Sequence, residues 1–187
     1  MRELSLNVLD IAQNSISAKA ALIEIELVEN NEENTLLIGI YDNGKGMTKQ
    51  QLEAVRDPFF TTRTTRKVGM GIPLFKMAAE MTGGYLEIES EVNKGTCVKA
   101  FFRTDHLDFI PIGDMTSTMV TLITMNSAVD FIYRRSLGTA IFTLDTREIK
   151  KILDGVPLSE PSVTAWLKDY ISEHTNNLRR CNIDENT

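Results

Sequence analysis

An alternating apolar run from Leu36 to Ile40 ends in Tyr41-Asp42-Asn43-Gly44-Lys45-Gly46-Met47. Alternation at a period of two marks a strand with one buried face. The chain therefore carries a carboxylate out of a sheet and into a glycine-rich turn. A carboxylate at the lip of a core requires a partner. Glycines two residues apart let the backbone bend sharply and lie close to a ligand. Many surface turns share the Asp-x-Gly-x-Gly pattern, so its meaning rests on the segments around it.

Upstream, residues 5–20 have helical periodicity. At about 100° per residue, Asn7, Asp10, Gln13, Asn14 and Ser17 fall on one narrow arc of a helix that is largely apolar elsewhere. Such a helix is expected to be buried, and a polar strip on it marks either a solvent edge or a site. Ile23, Ile25 and Leu27 alternate with Glu24 and Glu26. They predict a strand that forms a hairpin with residues 36–41. Thr48 and Gln51 form a capping box ahead of a short helix. Residues 57–68 carry threonines and basic side chains without a period and predict a loop. Residues 71–82 predict a helix, with Pro73 in its first turn and Gly83-Gly84 at its end. Residues 85–90 and 96–102 predict a second hairpin. The order α-β-β-α-α-β-β predicts a two-layer α/β sandwich.

Pro111 and Gly113 interrupt the pattern after the last of these strands. The sequence thus divides into residues 1–104 and a smaller α+β appendage, 105–187. The appendage is expected to hold a helix at 114–125, a hairpin of 131–135 with 140–144, and helices at 146–153 and 160–177. In the last helix Trp166, Leu167, Tyr170 and Ile171 are expected to pack in the core. The polar tail from Asn176 is expected to fray.

At 187 residues the chain can bury a sizeable core. A net charge of -6 argues against nucleic acid as a partner. Cys97 and Cys181 have neither metal-type spacing nor a disulfide framework, and Cys97 is expected to be a small buried hydrophobe in its strand. His106 and His174 lack companions at zinc spacing. No apolar run approaches the ~20 residues of a membrane span, and no signal peptide is visible. The expectation is a cytoplasmic protein without membrane contact.

Four segments then stand in order: Asp10 and Asn14 at i, i+4 on one helix; Asp42, Gly44 and Gly46 in the turn; Asp57-Pro58-Phe59-Phe60-Thr61-Thr62 leading to Gly69-Met70-Gly71-Ile72-Pro73; and Gly95-Thr96 in the last hairpin. A nucleoside triphosphate uses each of these types. The Asn oxygen is a hard neutral ligand for Mg²⁺, which otherwise keeps water and phosphate oxygens. Asp42 can accept a hydrogen bond from an exocyclic amine, favouring adenine over guanine. Gly69 and Gly71 leave backbone N–H groups free at a helix start, where the dipole favours phosphate. Arg63, Arg66 and Lys67 add positive charge. Asp10 can orient, or take a proton from, an attacking water or hydroxyl.

These motifs closely resemble those of the gyrase, Hsp90, histidine kinase and MutL ATPases. LDIAQNSISA resembles the Asn-containing box of that family, YDNGKGM its first glycine box and DPFFTT the phenylalanine box of histidine kinases. VGMGIP resembles the second glycine box, and KGTCVKAFF the last strand pair. The resemblance covers residues 4–103 and implies the Bergerat-type ATP-binding fold. Carried over, it makes Asn14 the Mg²⁺ ligand and Asp42 the adenine reader. Gly44, Gly46 and Met47 shape the adenine side of the pocket, with Thr96 supporting it through a hydroxyl. Lys67, Gly69 and Gly71 meet the phosphates at the end of an ATP lid that begins near Thr61.

Two departures bear on function. Hydrolysing members carry Glu four residues before the Asn; here it is Asp10, whose shorter side chain reaches less far toward a proton. No phosphoacceptor helix is recognised ahead of the Asn box, and the roughly 80 residues after the ATP domain are fewer than a transducer domain uses. Lys150 and Lys151 match such a domain's lysine by type only. The expected function is a stand-alone Mg-ATP-binding kinase-like module acting on a separate protein partner. A slow ATPase switch and a non-catalytic nucleotide-binding scaffold are the alternatives. The C-terminal region is expected to dock a partner or to pair two copies of the chain.

Overall fold

The computed structural model describes residues 3–56 and 71–184. Among the described residues the chain opens with helix α1 (Leu4–Ser17), the hairpin of β1 (Leu22–Asn30) and β2 (Thr35–Asp42), and helix α2 (Lys49–Arg56). Helix α3 (Gly71–Met81) and the hairpin of β3 (Tyr85–Glu91) and β4 (Gly95–Arg103) follow. Then come α4 (Met115–Met125), β5 (Asp130–Leu137), β6 (Ala140–Asp145), α5 (Thr146–Leu153) and α6 (Pro161–Asp184). The strands form one sheet in the order β3-β4-β2-β1-β5-β6. All pairs are antiparallel except β1 with β5.

Period-two alternation gives the sheet one apolar face. Ile23, Ile25 and Leu27, Leu36, Ile38 and Ile40, Val98, Ala100 and Phe102, and Phe131 and Tyr133 are all buried on it. Helices α1, α3, α4 and α6 pack against that face, and α4 touches both α1 and α6. The fold is the expected α/β arrangement, with α1 under the centre of the sheet. The opposite face carries half-buried Glu24, Glu26, Tyr41, Lys99 and Arg134. Cys97 lies there too, half-buried, contrary to its expected burial. Val98 and Ala100 point inward, so alternation turns Cys97 outward.

Local chemistry sets the boundaries. Helix α1 stops at Ser17, three residues short of the expected end, because Lys19 turns into the left-handed region with φ 62°. The capping box forms: Gln51 N donates to Thr48 Oγ1 and Thr48 N to Gln51 Oε1. Helix α6 continues to Asp184 where a frayed tail was expected, and its Leu178 is still buried in the core. On that helix Leu167 and Ile171 fill the core, one turn apart, whereas Trp166 is 45% exposed and stacks on Tyr170. Trp166 thus sits at the rim rather than inside.

Residues 105–184 add to the same sheet. Strand β5 pairs with β1 from Leu22↔Asp130 to Glu29↔Leu137. Leu4 N and Ser5 N donate to Pro111 O at 3.0 Å and Ile112 O at 2.8 Å, tying the start of α1 to the connecting segment. The buried apolar side chains of both parts form one continuous cluster.

Candidate functional site

Asp42 is the last residue of β2, and both of its carboxylate oxygens are engaged. Oδ2 accepts from Ser15 Oγ at 2.6 Å and Oδ1 accepts from Gly44 N at 2.9 Å. The first is short enough for a charge-assisted bond. Ser15 is buried on α1, so the carboxylate is held between that helix and the turn. A Cβ at Gly44 would lie 2.9 Å from Ala18 O and 3.0 Å from Asp42 Oδ1, which leaves room for glycine alone. Gly46 adopts φ +63°, and a Cβ there would run into Glu91 O. Asn43 Oδ1 accepts from Ala21 N and Leu22 N at 2.8 and 2.9 Å, pinning the turn to the start of β1.

The other wall of this corner is the β3–β4 hairpin. Thr96 lies opposite Asp42 in the ladder and Ser90 lies opposite Thr96. Ser90 Oγ donates to Gly95 O at 2.9 Å and accepts from Met47 N at 2.9 Å. It also lies 2.9 Å from Thr96 Oγ1. Asp42, Gly44, Gly46, Met47 and Thr96 therefore converge: Ser15 and Gly44 hold Asp42, and Ser90 ties Met47 to Thr96.

A second group lies along α1. Asp10, Gln13, Asn14 and Ser17 are exposed, as the arc of polar residues predicts. Asn7 is the exception, only 1% exposed, with no partner for its Oδ1 among the described residues. The side chains of Asp10 and Asn14 make no hydrogen bond among the described residues. Gly71 opens α3 beside Asp10: a Cβ there would be 2.9 Å from Asp10 Cβ and 3.5 Å from its Oδ2. Among the described residues, the start of α3 thus lies next to the exposed arc. Lys67 and Gly69 lie outside the described residues.

Among the described residues no cluster of three or more His, Cys, Asp or Glu side chains could hold a metal ion. Lys150 Nζ is bound to Asp130 Oδ1 at 2.7 Å and to Ser127 O at 3.1 Å, so it is committed to the C-terminal part of the sheet. A cleft of about 330 Å³ opens between α2, α3 and β3, lined by Arg56, Ile72, Lys76 and Ile88 among others. Asp10, Asn14, Asp42 and Thr96 do not line it.

Ser15, Asn43 and Ser90 were not singled out from sequence. Ser15 follows Asn14 directly, but its role depends on which strand end meets the helix. Ser90 was legible through hairpin register, which sets it against Thr96 as a cross-strand hydroxyl pair.

The model of the histidine kinase-, DNA gyrase B- and HSP90-like ATPase family matches residues 1–106. Similar proteins include the C4-dicarboxylate transport sensor protein DctB of Pseudomonas aeruginosa. It is 27% identical over 100 residues, 53% of this chain and 16% of that protein. Sporulation kinase D of Bacillus subtilis is 28% identical over 48% of this chain and 17% of its own length. The sensor histidine kinase ZraS of Salmonella typhimurium is 32% identical over 46% and 19%. The chain thus spans less than a fifth of the length of these relatives. Among solved structures, the Aquifex aeolicus MutL ATPase domain complexed with ADP is similar in fold, with TM-score 0.50 and 17% identity. That match covers 82% of this chain and 70% of the other, more than residues 1–106 alone could supply.

Proposed function

The chain belongs to the histidine kinase-, DNA gyrase B- and HSP90-like ATPases, and from that premise we propose that it is a Mg-ATP-binding, histidine kinase-like module that phosphorylates or regulates a separate protein. The observation that carries the reading is the Asp42 carboxylate. It is fixed by Ser15 and Gly44 at the end of β2, opposite Thr96, as a ready acceptor for the exocyclic amine of adenine. Gly44, Gly46 and Met47 supply the adjoining wall.

The phosphates extend toward the start of α3, where Gly71 and its neighbouring N–H groups favour anions. The uncommitted Asn14 oxygen suits Mg²⁺, a hard cation that takes one or two protein oxygens and completes its shell with phosphate and water. Asp10 is exposed at the same place and orients or polarises the attacking group. The proposed setting is cytoplasmic, and no helix among the described residues is long and apolar enough to cross a membrane.

Transfer rather than hydrolysis is favoured by relatives whose names are those of sensor and sporulation kinases and by the short carboxylate at Asp10. The test is incubation of the whole chain with Mg²⁺, ATP labelled in its γ-phosphate and candidate partners. Label on a partner is expected; label released only as free phosphate, whatever the partner, would overturn the kinase reading. That second outcome fits a slow ATPase switch, which the shared sheet favours: β1 touches both the site-bearing β2 and the C-terminal β5.

A further inference from the structure

The hydrogens at the base-reading corner can be counted. Ser90 has one hydroxyl hydrogen and accepts through its lone pairs. Gly95 O can only accept, so the 2.9 Å contact spends the Ser90 hydrogen there. Met47 N can only donate, so it occupies one acceptor position on Ser90 Oγ. In the remaining 2.9 Å contact, Ser90 has no hydrogen left to give, and Thr96 must be the donor. Thr96 has then spent its own hydrogen and presents only lone pairs elsewhere. Across the ladder, Asp42 likewise offers only lone pairs, its oxygens already receiving Ser15 and Gly44.

We propose that Ser90 is a specificity-determining positioning residue: by fixing Thr96 as a pure acceptor, it makes the corner read a 6-amino purine and reject a 6-oxo purine. This rests on the ATP reading of the site. A 6-amino group donates, and two acceptors suit it. A 6-oxo group has lone pairs where these acceptors present theirs, and an unmatched polar contact costs more than a matched one gains. Ser90 itself need not touch the nucleotide. Without its hydroxyl, Thr96 recovers a free hydrogen and can turn to donate to a 6-oxo oxygen.

The experiment compares ATP and ITP, which differ in the base only through the 6-position and the N1 proton that accompanies it. Affinities are measured by calorimetry for the whole chain, for Ser90→Ala, Ser90→Thr and Thr96→Val, and for the double variant, with circular dichroism recorded on each. The wild-type chain is expected to favour ATP. Ser90→Ala is expected to lower the ATP-to-ITP preference about tenfold, the size of one hydrogen bond, mainly by improving ITP. Ser90→Thr restores the hydroxyl and is expected to keep the preference. Thr96→Val is expected to lower it, and adding Ser90→Ala to Thr96→Val to change it no further.

A loosened hairpin would weaken both nucleotides alike, and that result in Ser90→Ala would overturn the proposal. So would an unchanged preference. Should Ser90→Ala not fold, an unchanged preference in Thr96→Val overturns it on its own. Failure of the wild-type chain to bind either nucleotide would instead overturn the ATP reading beneath it.

Discussion

At the scale of single residues, Asp42 holds two donors and still faces the corner. Asn in its place has one acceptor oxygen for Ser15 Oγ and Gly44 N, and its NH₂ would confront an adenine amine. Asp42→Asn is expected to weaken ATP binding about 10- to 100-fold, the worth of a hydrogen bond to a charged group. Calorimetry checks this, and retained affinity would refute the site assignment. Cys97 offers a second reading of its own environment. Burial, helped by Glu89 and opposed by Lys99, pushes its thiol above the usual range. The thiolate is the reactive form, so in a Cys181→Ser background iodoacetamide should label Cys97 slowly at neutral pH. The rate should climb only above the range of an ordinary thiol; fast labelling at pH 7 would contradict the assignment. Asp42, Gly44 and Gly46 were legible in sequence because turn chemistry is local. Ser90 was open to view only through the register of its hairpin, which sets it against Thr96, and Ser15 was not legible, because its role arises where a helix meets a strand end.

At the scale of elements, alternation and capping made nearly every helix and strand legible. The early end of α1 has a physical cause: Lys19 turns into the left-handed region just after it. Helix α4 shows how firmly an end can be set. Asp114 Oδ1 accepts from Ser117 N at 2.8 Å and Oδ2 from Ser117 Oγ at 2.6 Å. Asp114→Ala is expected to cost about 1 kcal/mol of stability, read from urea midpoints. The Ser117 hydroxyl and N–H hold this carboxyl below the usual range. Its folded value is therefore the lower one, and its contribution is complete above the unfolded value of about 3.9 and fades as pH falls through the folded value. The gap between wild type and variant should narrow on acidification below about pH 4; a gap that widens there would contradict the cap.

At the scale of the whole molecule, the dip in periodicity at Pro111 and Gly113 suggested a boundary, and sequence pattern alone has no means of pairing β5 with β1. That pairing is parallel and spans more than a hundred residues of chain, so no local signal reports it. Its energetic consequence is large. Removing residues 107–187 would strip β1 of a full-length neighbour and take α4 off α1, uncovering apolar side chains of the shared core. Each large apolar side chain exposed costs about 1.5–3 kcal/mol, and native stabilities are only about 5–15 kcal/mol. The buried Arg135 also pairs with Glu29 across the β1–β5 seam at 2.8 Å. Residues 1–106 alone should therefore aggregate or bind a hydrophobic dye, despite carrying the whole family match. In the intact chain, Trp166 is the single tryptophan and reports on α6. Its fluorescence should lose its native signal at the same urea concentration as far-ultraviolet dichroism, and amides of Ile25 and Tyr133 should open for exchange with the same free energy. Two separated midpoints would show that the C-terminal part folds by itself, and the sheet would then be a contact between two units rather than one cooperative structure.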